Sequence, residues 1–257
     1  MDKTLVKGLS VLEALAQEET AQGVSELARR LDLSKSNTHR LLQTLAALGY
    51  VVSADGRYQL TPKLWVLGAS SISRLDVRRI AMPELERLAE ETRETVHLSV
   101  LDGDEAVYLE KIDSPQPIRA YTKIGGRAPA HCVATGKALL AFQPTGRDGP
   151  LPEQLTAYTD RSITSAGELR RELARIRAAG YALNRGEWRR EIGGIGAPIF
   201  GPDSAVVAAL GISGPTTRVN AATAPALANL VCRAAREVSR RMGARLEDSP
   251  EGDPGIR

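Results

Sequence analysis

Histidine occurs three times and cysteine twice in the 257 residues, and that scarcity removes several kinds of chemistry at once. Cys132 and Cys232 stand far apart with no Cys-x-x-Cys pattern, which argues against a disulfide framework or a zinc knuckle. His39, His97 and His131 have no second histidine or cysteine at metal-ligand spacing, so neither a metal nor any other cofactor is expected. Aromatic residues make up only 4%, too few for a platform that stacks a large ring system. No apolar run approaches the roughly 18 residues of a spanning helix. The opening MDKTLVKG lacks the charged-then-apolar layout of a signal peptide, so a cytoplasmic location away from membranes is expected. The net charge of +3 is too small for a chain that coats nucleic acid along its whole length.

What charge there is lies unevenly. From Arg29 to Lys63 six basic residues (Arg29, Arg30, Lys35, Arg40, Arg57, Lys63) face two acidic ones (Asp32, Asp55). The length favours two domains, and the first carries this concentrated positive charge, as phosphate neutralisation requires. A solvated helix face is the plainer reading of charge alone. Periodicity adds more. Leu5, Leu9, Leu12 and Leu15 recur at helical spacing over about 4 to 17, and QEETAQG follows as a polar loop. Ser25 is placed to cap SELARRL, with Leu27, Ala28 and Leu31 inward. Ser34 is placed to cap a third helix ending near Leu48, with Gly49 as its stop. YVVSADGRYQL then reads as a hairpin turning at Asp55-Gly56, with Arg57 at its tip. Three short helices and a wing make a winged helix-turn-helix over residues 1–62.

The third helix sorts its residues cleanly. Thr38, Leu45 and Leu48 fall within about 60° of Leu41 on the helical wheel and form the buried face. Ser36, His39, Arg40 and Gln43 fall opposite, with Lys35 and Asn37 at the flanks of the first turn. This outward set holds no acid, although solvated faces usually mix signs. Its donors and acceptors are types that address base edges in a major groove, and the helix start suits a phosphate.

Residues 61–80 look mostly helical, with Leu64, Leu67, Ile72 and Leu75 loosely on one side. A linker helix over 63–80, its apolar side paired with a second chain, is the expectation. After residue 80 the pattern changes. MPELERLAEET is an amphipathic helix, and TVHLSVLDGDEAVYLEKI is a hairpin turning at Asp-Gly. IRAYTKI reads as a strand, HCVATGKALLAF as a helix, and QPTGRDGPLPEQ as a loop. SAGELRRELARIRAAG is a helix with a capping box from Ser165 to Glu168 and Gly180 as its stop. YALN, GGIGAPIF and AVVAALGISG add strands around a GPDS turn. A last helix covers about 221 to 245, with Leu227, Leu230, Val231, Ala234 and Val238 inward. The architecture is α+β, an antiparallel sheet with flanking helices over 81–246. The tail, 247–257 (EDSPEGDPGIR), is expected to be disordered.

Catalytic motifs do not survive inspection. ATGKA at 134–138 resembles a phosphate-binding loop, but that pattern needs Gly where His131 stands and Ser or Thr where Ala138 stands. His131 and Cys132 are adjacent, a poor arrangement for a base and its nucleophile, and no partner carboxylate is identifiable. GGIG and LGISG leave side-chain volume empty, as a pocket wall would, though glycines also permit close packing or bulges. Trp188 is either a pocket lid or a surface aromatic.

GVSELARRLDLSKSNTHRLLQTLAALGYVVSADGRYQL, after LVKGLSVLEALA, resembles the winged helix-turn-helix of the isocitrate-lyase-regulator (IclR) family of bacterial transcription factors. HCVATGKALLAF, LRRELARIRAAGYALNRGEW and GGIGAPIF…ALGISGP resemble that family's effector-binding domain, so the likeness runs over about residues 4 to 245. The resemblance implies a GAF/PAS-like sensor domain binding a small carboxylic or aromatic acid. The acid's carboxylate would meet Ala134 and Thr135, with Gly136 allowing close approach. Further contacts would fall at Asn184, Glu187, Gly194, Gly211 and Ser213. It also implies a homo-oligomer, dimer or tetramer, reading double-stranded operator DNA as repressor or activator. Two other classes compete. An enzyme with an accessory N-terminal domain needs a convergent titratable set that the sequence lacks. A purely oligomerising module leaves the acid-free face unexplained.

Overall fold

The computed structural model describes residues 2–18, 20–72, 77–143, 151 and 153–244. It divides into two units, Met1–Arg74 and Leu75–Arg257. In the first, the Asp2 carboxylate caps helix α1 (Lys3–Ala16) by accepting from the Thr4 and Leu5 amides. The inward face of α1 is Val11, Ala14 and Leu15, whereas Leu5 and Leu9 are 64% and 50% exposed. No described residue before Val11 is buried, because the first half of the helix runs beyond the small core it serves. Of Leu5, Leu9, Leu12 and Leu15, which share helical spacing, only Leu15 is therefore buried.

Helix α2 (Val24–Arg30) starts two residues earlier than a cap at Ser25 would dictate. Gly23 takes the cap position, and its amide donates to the Glu26 carboxylate at 2.8 Å. The same glycine belongs to a two-residue strand, β1 (Gln22–Gly23), so the end of QEETAQG is strand rather than loop. Asp32, at φ +53°, turns the chain into α3 (Lys35–Ala47), where Ser34 Oγ accepts from the Asn37 amide at 3.3 Å. At the far end Gly49 adopts φ +76°. The Gly49 and Tyr50 amides donate to the carbonyls of Ala46 and Leu45, a Schellman stop. The wing is β2 (Val51–Ala54) and β3 (Arg57–Leu60), joined by Asp55 and Gly56, both with positive φ. β1 pairs with the outer edge of β3, giving the order β1-β3-β2. Val11, Leu15, Leu27, Leu42, Val51 and Tyr58 fill the core. Leu42 takes the inward place expected of Leu48, which is 53% exposed at the helix end. Helix α4 (Lys63–Ile72) follows.

The second unit is built on a six-stranded antiparallel sheet. Its strands are β4 (Thr95–Asp102), β5 (Glu105–Ile112), β6 (Arg127–Pro129), β7 (Ala182–Arg185), β8 (Ile192–Phe200) and β9 (Val206–Pro215). They are ordered β6-β5-β4-β9-β8-β7. IRAYTKI is not a strand: the edge of β5 is taken by Arg127–Pro129 instead. The residues 118–124 form an irregular cover, with Ile118 and Tyr121 largely exposed. Helix α5 (Val77–Thr92) begins five residues before the expected Met82, since Val77, Ala81, Leu85 and Leu88 form one buried stripe. With α8 (Ala224–Arg241) it covers one face of the sheet. Leu227 and Leu230 of α8 are only half-buried, and Ala224, Ala228 and Ala235 join Val231, Ala234 and Val238 inside.

The other face carries α6 (Ala134–Phe142) and α7 (Ala166–Ala179). A single 3-10 turn, Ala130–Cys132, precedes α6, so HCVATGKALLAF is helical only from Ala134. Ser165 Oγ caps α7 through the Glu168 amide, and Gly180 ends it at φ +77°. Most of QPTGRDGPLPEQ and all of EDSPEGDPGIR lie outside the described residues. Among the described residues no helix is long and apolar enough to cross a membrane.

Candidate DNA-reading face and sensor cavity

Helix α3 sits over the first unit's core on Thr38, Leu41, Leu42 and Leu45, all buried. That packing turns Lys35, Ser36, His39, Arg40 and Gln43 to the exposed side, with Asn37 half-buried beside them. The face is partly pre-ordered. Asn37 Oδ1 accepts from Arg40 Nη2 at 3.3 Å, and the Ser34 and Ser36 hydroxyls lie 3.2 Å apart. Arg57, expected at the wing tip, is also engaged within its own unit. Its Nε donates to the Ala21 carbonyl at 2.8 Å and its Nη2 to Glu26 at 3.2 Å. The Gly23 amide and then Arg57 and Arg29 lower the Glu26 carboxyl below the usual range. The guanidinium thus ties the wing to the start of α2 while remaining about half exposed.

In the second unit a cavity with about 40 Å³ of free volume lies between the sheet and the start of α6. Of the residues implied by resemblance, Ala134, Thr135, Asn184, Gly194 and Ser213 line it together. Gly136, Glu187 and Gly211 do not. At Gly136 an added Cβ would fall 2.5 Å from Ala130 Cα, so this glycine lets α6 press on the preceding turn. At Gly211 it would fall 2.8 Å from Thr135 Cγ2 and 2.4 Å from the Ile195 carbonyl. Gly196 does the same work, its Cβ position lying 2.7 Å from Thr135 N. These two glycines bring the amino end of α6 down onto the sheet. Val133, its cap residue, supplies no side-chain hydrogen bond to the first turn, which leaves those amides and the positive helix end to the cavity.

Glu187 belongs to a buried ion cluster behind the cavity. Lys137 Nζ, with no exposure, donates to the Leu183 carbonyl at 2.8 Å, Glu187 Oε1 at 2.8 Å and Glu172 Oε1 at 3.2 Å. Glu187 Oε2 lies 2.7 Å from the same ammonium but without hydrogen-bond alignment. Burial pushes the Glu187 carboxyl up, opposed by Lys137. Burial also pushes Glu172 up, but Arg175 and Lys137 outweigh it and bring it down to about 2. Asn184 links cluster and cavity, because its Oδ1 accepts from the amides of Gly186 and Glu187.

Sequence reasoning missed several lining residues: His97, Tyr108, Ala120, Tyr121, Thr122 and Arg189. A signal for His97 was present. Thr95, His97 and Ser99 alternate with Val96, Leu98 and Val100, a pattern that ordinarily sends the polar phase to water. Here Thr95, His97 and Ser99 are all buried. His97 Nε2 lies 2.6 Å from Ser213 Oγ, and Ser99 Oγ donates to Thr135 Oγ1 at 3.1 Å. Burial, helped by Lys111, brings His97 down to about 4, so its ring is neutral at physiological pH. The Tyr108 ring packs 4.9 Å from it, and burial raises that phenol to about 12. Trp188 lines the cavity and carries Arg189 over its ring at 4.9 Å. The irregular cover is tied down by backbone contacts. Arg218, itself paired with buried Glu94, donates to the Ile118 carbonyl at 2.9 Å, and Lys111 donates to that of Thr122 at 2.8 Å.

The adjacent His131 and Cys132 do not form a catalytic pair. His131 Nε2 lies 3.1 Å from the Thr156 carbonyl, and burial raises the Cys132 thiol to about 11. Among the described residues no cluster of His, Cys, Asp or Glu is arranged to hold a metal ion.

Comparison with known proteins meets this geometry from outside. Residues 4–55 match the IclR helix-turn-helix domain model and residues 69–240 the model of the bacterial transcriptional regulator IclR C-terminal domain. The transcriptional regulator KdgR of Escherichia coli K12 is 36% identical over 93% of this chain and 92% of its own length. The glycerol operon regulatory protein of Streptomyces coelicolor is 33% identical over 94% of this chain and 97% of its own. Among solved structures, IclR of Thermotoga maritima superposes with a TM-score of 0.76 at 31% identity, covering 93% of this chain and 98% of the other. An IclR homologue of Microbacterium hydrocarbonoxydans complexed with 4-hydroxybenzoate reaches 0.80 at 28% identity, covering 93% and 99%. The curated relatives are regulators of transcription, and this chain belongs to the IclR family of DNA-binding bacterial transcriptional regulators.

Proposed function

We propose that the chain reads operator DNA through Lys35, Ser36, Asn37, His39, Arg40 and Gln43 in the major groove, and that a small carboxylate-bearing acid in the sensor cavity modulates this binding. Arg57 contacts the sugar-phosphate backbone with the part of its guanidinium left exposed beside Glu26. Two chains pair to present two recognition helices to a palindromic site. The exposed Leu5, Val6 and Leu9 of α1 and Val66 of α4 supply apolar surface for that pairing.

The effector reading rests above all on the start of α6, where uncapped amides of the Ala134-Thr135 turn meet a cavity lined by Ser213, Asn184 and a neutral His97. Such a helix end favours an anion. The Microbacterium homologue's 4-hydroxybenzoate supports an acid, and it brings an aromatic acid into consideration. An apolar cavity of about 150 Å³ holds benzene, so the 40 Å³ here favours a shorter aliphatic acid unless the Tyr121 cover shifts. A thermal-shift screen of aliphatic and aromatic acids tests the reading, because a ligand that binds only the folded chain raises its melting temperature. An acid that raises it should lose that effect in Thr135→Val and Ser213→Ala; an undiminished response in both variants would place the site elsewhere. For the DNA face, Arg40→Ala should weaken operator retention and reduce its salt dependence, and unchanged retention would remove Arg40 from the interface.

A further inference from the structure

The turn that follows β7 borders two hollows. Asn184, Trp188 and Arg189 line the sensor cavity, whereas Arg185 and Glu187 of the same turn line an open cleft with about 560 Å³ of free volume. Small-molecule sites run from roughly 300 to 1,000 Å³, so the cleft is large enough to be one. Its other main wall is α7, where Glu168, Arg171, Glu172 and Arg175 are spaced three and four residues apart and share one face. The segment before α7 adds Arg161 and is fastened to the turn. Arg161 Nη1 donates to the Arg185 carbonyl at 3.1 Å, Thr159 Oγ1 to that of Gly186 at 2.8 Å and Ser162 Oγ to that of Glu187 at 2.6 Å. We infer that this cleft is a second ligand site, for a small phosphate monoester that carries a free hydroxyl. The inference stands apart from the reading of the sensor cavity as an acid site.

Charge in the cleft points to an anion. Arg175 engages Glu172 through two hydrogen bonds, both of 2.9 Å, and Glu187 is matched by Lys137. Arg161, Arg171 and Arg185 are left to face Glu168. The Arg171 and Arg185 side chains have no hydrogen bond or ion pair among the described residues. A carboxylate fills one guanidinium fork, whereas the three terminal oxygens of a phosphate ester can fill two. Two free forks in one cleft therefore favour the phosphate.

The hydroxyl follows from Glu187. Alone among the lining residues it is buried, and its Oε2 receives no hydrogen bond. Its Oε1 already takes the Lys137 ammonium at 2.8 Å and the Arg185 amide at 3.3 Å. A buried acceptor left without a donor is costly, and a hydroxyl on the ligand supplies the donor. A dicarboxylate or a simple alkyl phosphate brings none.

The test titrates the full chain with glycerol 3-phosphate, methyl phosphate, inorganic phosphate and succinate by calorimetry at about pH 7.5. Glycerol 3-phosphate should bind about ten-fold more tightly than methyl phosphate or succinate. Arg171→Ala with Arg185→Ala should weaken it by about ten-fold or more. Arg119→Ala with Arg236→Ala, which removes the same charge from exposed positions elsewhere, should change it by less than about two-fold. Glu187→Gln keeps a carbonyl oxygen for Lys137 and the Arg185 amide and puts an amide nitrogen in place of Oε2. It should narrow the preference for glycerol 3-phosphate over methyl phosphate to about three-fold. If that variant does not fold, the wild-type preference and the two arginine pairs decide. Absence of phosphate binding overturns the inference, as does inorganic phosphate binding as tightly as the ester. Equal losses in both arginine pairs would reduce the effect to general attraction and overturn it too. So would binding that Thr135→Val abolishes and the cleft arginines leave unchanged, because the phosphate would then sit in the sensor cavity. A preference that Glu187→Gln leaves intact overturns the part given to the hydroxyl.

Discussion

Lys137 is fully buried, and its ammonium serves a carbonyl and two carboxylates at once. Removing one partner of such a cluster leaves buried charge uncompensated, so Lys137→Met should cost about 3–5 kcal/mol in urea unfolding. Adding Glu187→Gln to it should recover part of that loss, because the stranded carboxylate goes with it; strictly additive losses would mean the cluster is not coupled. His97 makes a separate claim about pH. Its folded value, about 4, lies below the ordinary 6.5, so the unfolded chain takes up the proton first. The stability it contributes is present above about pH 6.5 and is lost as pH falls toward 4, about 3 kcal/mol at full extent. Glu172, held at about 2, also loses its contribution on acidification, but only below the ordinary carboxylate range. His97→Gln should therefore flatten the unfolding free energy between pH 6.5 and 4.5. An unchanged slope in that window would assign the acid sensitivity to other groups. A lysine within ATGKALLAF carries no partner information in the sequence, and the alternation around His97 gave a strand phase without showing that the polar phase is buried.

Elements were easier to read than faces. The caps at Ser34 and Ser165, the stops at Gly49 and Gly180, and both Asp-Gly hairpins follow from local chemistry, and the structure has them all. Faces depend on what lies opposite. The leucines of α1 keep helical spacing, yet Leu5 and Leu9 are exposed because the core ends at Val11. IRAYTKI has strand composition but joins no strand, and the edge of β5 at Glu105–Val107 is taken by Arg127–Pro129 instead. The glycines of GGIG and LGISG looked like a cavity wall. Gly194 lines the cavity, but Gly196 admits the backbone of α6 and Gly211 the Thr135 side chain. Gly196→Ala should thus force α6 outward, costing about 1–3 kcal/mol and weakening the thermal response to a bound acid. Gly167→Ala in the first turn of α7, with nothing nearer than 3.8 Å to its new Cβ, should be neutral or slightly stabilising. Equal losses in the two variants would show that helix propensity and chain entropy, not the approach of α6, govern the effect.

At the scale of the whole molecule, two units with separate cores have to communicate for an acid in one to alter DNA binding by the other. Communication needs two arrangements of the assembly for which the acid has different affinities. A single 13-residue recognition helix reads only a few base pairs, so affinity for a long operator has to come from joining two of them. The pairing proposed through Leu5 and Leu9 can be tested without touching either the outward face of α3 or the cavity of the second unit. Neither leucine supports the core of its unit, so Leu5→Lys with Leu9→Lys should fold, and its sensor unit should keep its acid-induced melting shift. Its sedimenting mass should fall at protein concentrations where the wild type is associated. Its preference for a duplex carrying two half-sites over one should shrink toward the factor of two expected from counting sites. A variant that keeps its mass and its two-site preference would move the pairing surface away from α1. One that loses the acid response as well would show that sensing depends on association, and that the two arrangements selected by the acid differ in how the chains meet.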